Sequence, residues 1–233
     1  MAGHHRSAML RFVAETGSTN DDLLALARDG AAEGLWLRAR RQTGGKGRQG
    51  RVWQSPPGNL HASTLVRLRE GDPPAPTLAL VAAVALHEAA AIYAEGRDLK
   101  IKWPNDLMLD GAKLAGILLE RSADAVVIGF GVNLAGPPEG LDRPAAGLGQ
   151  EVEPGRLLEA LAEVFARWLG RWRSEGLAPV RDRWLAAAHP VGTALSTPGG
   201  DGLFDGLDRS GALRLRRADG NIDIVHAGDV FLI

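Results

Sequence analysis

"GGKGRQGRVWQSPPGN", residues 44–59, decides between two kinds of fold. Gly45, Gly47 and Gly50 satisfy G-x-G-x-x-G. In a dinucleotide-binding fold that fingerprint opens a helix whose N-terminus carries the pyrophosphate. Here Pro56, Pro57 and Gly58 follow, and they forbid a helix directly after the glycines. A Walker loop fails as well, because Lys46 is followed by Gly47 and position 40 is Arg40. What remains is a long loop between strands. Its flexible backbone carries Lys46, Arg48 and Arg51 and can wrap an anion with amides and cations together. Arg38, Arg40, Arg41, Lys46, Arg48 and Arg51 occur without an intervening acid, so a nucleic-acid arm and a solvated basic loop stay open as readings.

The chain around this loop is of ordinary globular composition. It has 233 residues, 45% hydrophobic and 24% charged, with a net charge of -1 and no cysteine. That length can bury a sizeable core and suggests two compact units. Near-neutral charge argues against a surface that coats nucleic acid. Lack of cysteine excludes disulfides, thiol nucleophiles and Cys-ligated metals, and His4 and His5 have no carboxylate cluster beside them. No apolar run is long enough for a membrane span, and the start lacks a signal-peptide core. A cytoplasmic protein is expected.

Upstream of the loop, "MLRFVAE" alternates as a strand. "TGSTNDDLLALARDG" then signals a helix, with Ser18 or Thr19 as cap, acids in its first turn and Gly30 as stop. Strands "GLWLRAR" and "NLHASTLVRL" flank the loop. Downstream, "TLALVAAVALHEAAAIYAEG" reads as a helix buried against a sheet. Further strands follow in "LKIKWPNDLMLDGAKLAGILLE" and "DAVVIGFGVNLA", with Asp110-Gly111 as a hairpin turn. Two amphipathic helices cover "EPGRLLEALAEVFARWLGRWRSEG" and "APVRDRWLAAAH", where Trp168, Trp172 and Trp184 pack inward. Short alternating segments from about residue 190 predict a small unit of roughly five strands, with the boundary near His189-Pro190.

Two further clusters carry chemistry. In "KWPNDLML" the proline interrupts the ladder, so Asn105 and Asp106 project from a bend. They suit either Mg²⁺ held through a substrate phosphate or a side-chain-stabilised turn. Lys113 lies in an otherwise apolar strand with Gly116 three residues on; it either snorkels at a sheet edge or aims its charge into a cleft. "GFGVN" ends a buried strand in small residues and Asn133, as a close approach to a ligand or a glycine bulge would require.

Taken in order, Ser18-Thr19-Asn20, Gln42 with "GGKGRQGR", "KWPND", "KLAGI", "GFGVN" and the terminal β unit resemble the biotin protein ligase family over nearly the whole chain. The resemblance implies an α+β fold: a mixed-sheet catalytic domain like that of class II tRNA synthetases, residues 1–189, and an SH3-like barrel, residues 190–233. It implies ATP-dependent formation of biotinyl-AMP and transfer of biotin to a lysine of a carboxylase carrier domain. It implies ATP and Mg²⁺ as co-substrate and ion, and no tightly bound prosthetic group. Ser18, Thr19, Asn20, Gln42, Lys46, Gly47, Arg48, Lys113 and Gly116 are then expected at biotin. Arg48, Arg51, Trp53, Lys102, Asn105, Asp106 and Asn133 are expected at ATP, Asp106 at the metal, and Lys113 and Arg48 at the chemistry. Two departures stand out. Lys46 occupies a position usually held by arginine, which keeps the charge and loses the bidentate fork; Gly44 and Gln49 replace a usual alanine and arginine. The segment before Ser18 is short, so a DNA-binding domain, and with it repressor activity, is expected to be absent. Sheet-edge strands near Lys102 could pair two copies into a homodimer. A lipoate or octanoate ligase or transferase is the rival within the superfamily; the Ser-Thr-Asn trio with Gln42 would leave polar groups unpaired against an aliphatic chain. A nucleic-acid-binding module is the rival outside it, although Trp53 is the only aromatic residue near the basic cluster.

Overall fold

The computed structural model describes residues 9–138, 140 and 143–233; His4 and His5 lie outside them. Twelve strands and four α-helices follow in order: β1 Met9–Thr16, α1 Thr19–Arg28, β2 Leu35–Gln42, β3 Leu60–Arg67, α2 Leu78–Ala91, β4 Leu99–Lys102, β5 Asp106–Leu109, β6 Ala112–Ser122, β7 Ala125–Val132, α3 Pro154–Glu175, α4 Ala178–Ala187, then β8 Ala194–Thr197, β9 Gly200–Leu207, β10 Leu213–Arg216, β11 Ile222–Val225 and β12 Phe231–Leu232. A seven-stranded mixed sheet has the order β1-β2-β3-β7-β6-β5-β4, parallel only between β1 and β2. The remaining strands form an antiparallel sheet of order β11-β10-β9-β8-β12, in keeping with the small barrel expected from the turn spacing.

Because side chains alternate along a strand, the large sheet has two distinct faces. Ala62 and Val66 of β3, Ile128 and Phe130 of β7, and Ala115 and Ile117 of β6 join one core with the buried residues of α2 and α3. α2 is apolar on nearly every side, from Leu78 to Ala90, as a helix sandwiched in a core must be. Trp36 on β2, Phe130 on β7 and Phe165 on α3 lock this layer, with ring centroids 5.6, 5.7 and 6.4 Å apart; each such pair adds about 0.5–1.5 kcal/mol beyond burial. Trp168, Trp172 and Trp184 are buried as expected.

The opposite face is shared. α1 lays Leu23 and Ala27 on Leu35, Leu37, Leu65, Ala125 and Val127 at one end. Towards the other end the same alternation brings Ser63 and His61 of β3, Gly129 and Gly131 of β7, and Leu118 and Gly116 of β6 into register: Ser63 pairs Gly129 and Gly129 pairs Leu118, while His61 pairs Gly131 and Gly131 pairs Gly116. The glycines of "GFGVN" thus form no bulge; they leave a trough over regular ladder, floored by residues without side chains.

Burial pushes the His61 and His87 imidazoles below the ordinary histidine value of 6.5. Such groups bind more protons when unfolded, so their stability contribution is present above pH 6.5 and is lost as the pH falls through the folded values. The thermal midpoint is expected to fall between pH 7.5 and pH 5, by about 2–4 °C per kcal/mol lost, with a shallower slope in His87→Gln. Equal slopes by calorimetry would show that burial of His87 does not govern the acid limb.

Candidate active site

A cavity of about 870 Å³ opens over the glycine trough. It is roofed by the loop between β2 and β3 and closed at one end by the chain's last strand. Its lining takes in Ser18, Thr19, Asn20, Gln42, Lys46, Gly47, Arg48, Arg51, Trp53, Lys102, Asn105, Asp106, Lys113, Gly116 and Asn133, so one hollow gathers all the residues expected at biotin, ATP, the metal or the chemistry. A second hollow of about 950 Å³, between α4 and the small sheet, gathers none of them; its Arg214 and Lys100 are paired with Asp205 and Asp98.

One end of the site is neutral and buried. Ser18 stands at the N-cap of α1 but makes no side-chain cap bond, which leaves its hydroxyl to the cavity. Gln42 Oε1 accepts from the Thr19 N–H (2.9 Å) and lies 3.0 Å from Thr19 Oγ1. Thr19 Oγ1 is 2.7 Å from Ser63 Oγ, and Ser63 Oγ is 2.6 Å from Asn20 Oδ1. The Asn20 amide nitrogen donates to Glu120 Oε2 at 2.7 Å. Gly129 makes this packing possible, since a Cβ there would come within 2.4 Å of Asn20 Oδ1. Three oxygen–oxygen contacts share the two hydroxyl hydrogens of Thr19 and Ser63. The chain is therefore one acceptor over, and a ligand that fits it brings N–H donors.

The other end is ionic. β4 and β5 meet through Trp103-Pro104, a cis bond, and this turn pairs Lys102 with Asp106. Asp106 Oδ1 lies 2.7 Å from Lys113 Nζ and its Oδ2 lies 3.0 Å from Lys102 Nζ. Burial raises the Asp106 carboxyl, but the two ammonium groups outweigh it and hold the group below its ordinary value. Lys113 therefore does not snorkel at an edge; it points into the cleft, 5.7 Å from the centre of the Trp53 ring. That ring fills the slot over Gly116 and Gly131, where a Cβ would collide with it, and its buried Nε1 has no hydrogen-bond partner among the described residues.

Several of these residues have contacts of their own within the protein. Both Asp106 oxygens face lysine ammonium groups, and no group of three or more His, Cys, Asp or Glu that could hold a metal occurs among the described residues. Asn105 is spent locally: its amide donates to Ile117 O at 2.7 Å and its oxygen accepts from Arg48 at 3.4 Å. Lys46 is turned to Asp21 on α1, at 2.7 Å. Gly47 N–H donates to Arg51 O, so the loop uses that donor itself. Asn133 is buried, its backbone N–H donating to Leu114 O. The loop has no α-helix, only a single 3-10 turn at Arg48–Gly50.

Four contributors escaped the sequence reading. Ser63 and Glu120 complete the polar chain. Asp229 pairs with Arg51 and lies 3.9 Å from Arg48, while Val230 O accepts from Lys102 Nζ at 2.8 Å. Ser63 had one signal, a hydroxyl in a strand buried along almost its whole length. Asp229 and Val230 had none, because they reach the site from more than a hundred residues away.

Models of known families match two parts of the chain: the biotin/lipoate A/B protein ligase family over residues 15–133 and the biotin protein ligase C-terminal domain over residues 201–233. A biotin–[acetyl-CoA-carboxylase] ligase of Paracoccus denitrificans is 40% identical, with 94% of this chain and 98% of that protein covered. One from Mycobacterium tuberculosis is 35% identical over 95% of this chain and 88% of the relative. The biotin protein ligase of Aquifex aeolicus, solved in complex with biotin and ATP, has the same fold, with a TM-score of 0.85 at 24% identity over 97% of this chain and 99% of that one. A cleft with a neutral hydrogen-bonding end and a lysine-rich end, on a sheet and small barrel shared with these enzymes, makes this chain a member of the biotin/lipoate A/B protein ligase family.

Proposed function

We infer that the protein is a biotin protein ligase. It joins the biotin carboxylate to the α-phosphate of ATP, releasing pyrophosphate, and then passes the biotinyl group to a lysine amine of a carboxylase carrier domain with release of AMP. The observation that carries the choice of biotin over an aliphatic acid is the acceptor surplus in the Gln42, Thr19, Ser63 and Asn20 chain. A ureido ring supplies two N–H donors to it; lipoate and octanoate supply none, and a buried polar group left unpaired costs about 1–3 kcal/mol.

From that anchor the acid chain runs along the cleft, past the Trp53 ring that fills the trough, towards Lys113, which meets the oxygens on which negative charge grows during adenylation. Arg48 and Arg51 face the polyphosphate, Trp53 the adenine, and Asn133 the nucleotide from the floor. Lys102 holds the last strand over the nucleotide end through Val230 O, so the catalytic unit, residues 1–189, and the small barrel, residues 190–233, close one site between them. The loop excludes water from the acyl-adenylate, whose hydrolysis would waste the activation. No enzyme nucleophile takes part, and no residue of the chain is assigned to Mg²⁺. Consumption of ATP fits action in the cytoplasm; no helix among the described residues is long and apolar enough to cross a membrane.

ATP–pyrophosphate exchange by the purified protein, compared with biotin, lipoate and octanoate, tests the first half-reaction without the acceptor. Exchange is expected with biotin alone. Exchange driven by lipoate or octanoate would move the function to the sister activity.

A further inference from the structure

We propose that Glu120 is a specificity-determining positioning residue: its carboxylate sets the direction of the hydrogen-bond chain that presents acceptors to the ureido ring. The proposal rests on the assignment of biotin as substrate. Glu120 lies on β6 beyond Leu118, on the glycine-trough side of the sheet. It does not line the cavity, so it acts through Asn20.

An ionised carboxylate only accepts hydrogen bonds, whereas a carboxamide both donates and accepts. With Glu120 Oε2 at 2.7 Å, Asn20 must turn its nitrogen outward to the carboxylate, and Leu118 O, 3.5 Å from the same nitrogen, reinforces that choice. Asn20 Oδ1 is then committed to the inner side, over Gly129 and 2.6 Å from Ser63 Oγ. Ser63 must donate to it, which leaves the Ser63 oxygen as an acceptor towards Thr19. The Thr19 hydroxyl has one hydrogen for two acceptors, Ser63 Oγ and Gln42 Oε1. The surplus that a ligand N–H relieves is thus imposed from the far end of the chain by one negative charge. If Asn20 were reversed, its NH₂ would donate to Ser63, Ser63 to Thr19 and Thr19 to Gln42; each contact would then hold its own hydrogen, and the surplus acceptor that a ligand N–H relieves would be gone.

The test is steady-state exchange kinetics on Glu120→Gln, Glu120→Ala and Asn20→Ala, with thermal midpoints. Glu120→Gln keeps size and an acceptor but lets the amide pair reverse. We expect its KM for biotin to rise about tenfold, equivalent to about 1.4 kcal/mol. KM for ATP, kcat and thermal midpoint should stay near those of the unsubstituted protein. Glu120→Ala should rise at least as far, and Glu120→Gln combined with Asn20→Ala should add little to Asn20→Ala alone, as for residues in one network. A biotin KM in Glu120→Gln within twofold of the unsubstituted protein would overturn the proposal. So would a joint rise in both KM values with a lowered thermal midpoint, the signature of a structural role. Absence of biotin-dependent exchange in the unsubstituted protein would overturn the function and this inference together, whereas exchange with an unaltered biotin KM in the variant would overturn this inference alone.

Discussion

Lys113→Ala is expected to lower biotin-dependent ATP–pyrophosphate exchange about a hundredfold or more, the usual cost of removing one preorganised donor to a developing anion. Lys113 lines the cleft between Asp106 and the Trp53 ring. Gly116, on the same strand, makes room for the Trp53 ring beside Lys113: a Cβ there would press on that ring at 3.1 Å and only touch Lys113 Nζ, at 3.5 Å. Asp106 fixes the ammonium group at 2.7 Å, so the charge is oriented before substrate arrives and needs little reorganisation during the reaction. The contact is strongest when charge has moved onto the bridging and phosphoryl oxygens, so kcat and kcat/KM should fall together while KM for biotin changes little. Lys113→Arg should not restore the rate, because a planar guanidinium cannot place a point charge in the space between Asp106 and Trp53. Initial rates of exchange decide the matter; a variant that keeps a third of the rate would remove Lys113 from the chemistry.

Much of the scaffold was legible because it is written in local rules. Alternation found β1, β2 and β3, the Asp110-Gly111 turn joined β5 to β6, with Asp110 and Gly111 at positive φ, and the two prolines after the basic loop kept a helix out of it. Two glycines spaced by one residue in "GFGVN" must share a face, so the trough was in principle readable; that Asn20 and Trp53 would fill it was not. Partners were the weak point. A charge chooses its counter-ion across the whole sheet, and nothing near Lys46 in sequence announces Asp21, just as nothing near Arg51 announces Asp229. Asp106 illustrates the consequence. In isolation an acid on a bend beside an asparagine reads as a cation ligand, and only the arrival of lysines from β4 and β6 on its two oxygens turns it into their counter-ion.

Asp106→Ala should accordingly destabilise the protein by about 3 kcal/mol, the lower end of the range for breaking a buried ion pair, because Lys113 is 37% exposed while Asp106 and Lys102 are only 13% and 12% exposed. At about 2–4 °C per kcal/mol for a chain of this size, the thermal midpoint should drop by on the order of 10 °C, with or without nucleotide. The penalty arises less from lost attraction than from two ammonium groups left without a counter-ion. Asp106→Asn should therefore share most of it despite equal volume, and its exchange rate should fall with that of Lys113→Ala. Added Mg²⁺ discriminates between the two roles. If Asp106 were a metal ligand, its asparagine variant would regain activity as Mg²⁺ is raised; as counter-ion to Lys102 and Lys113 it should not. The pH dependence has a definite sign. A carboxyl held below its ordinary value of 3.8 contributes stability that is complete above that value and lost as the pH falls through the lower, folded one. The gap in thermal midpoint between the unsubstituted protein and Asp106→Asn should then stay constant from pH 5 to pH 8 and narrow only in stronger acid. A gap that closes near pH 6 would mean that Asp106 is protonated there and that the lysines are held by something else.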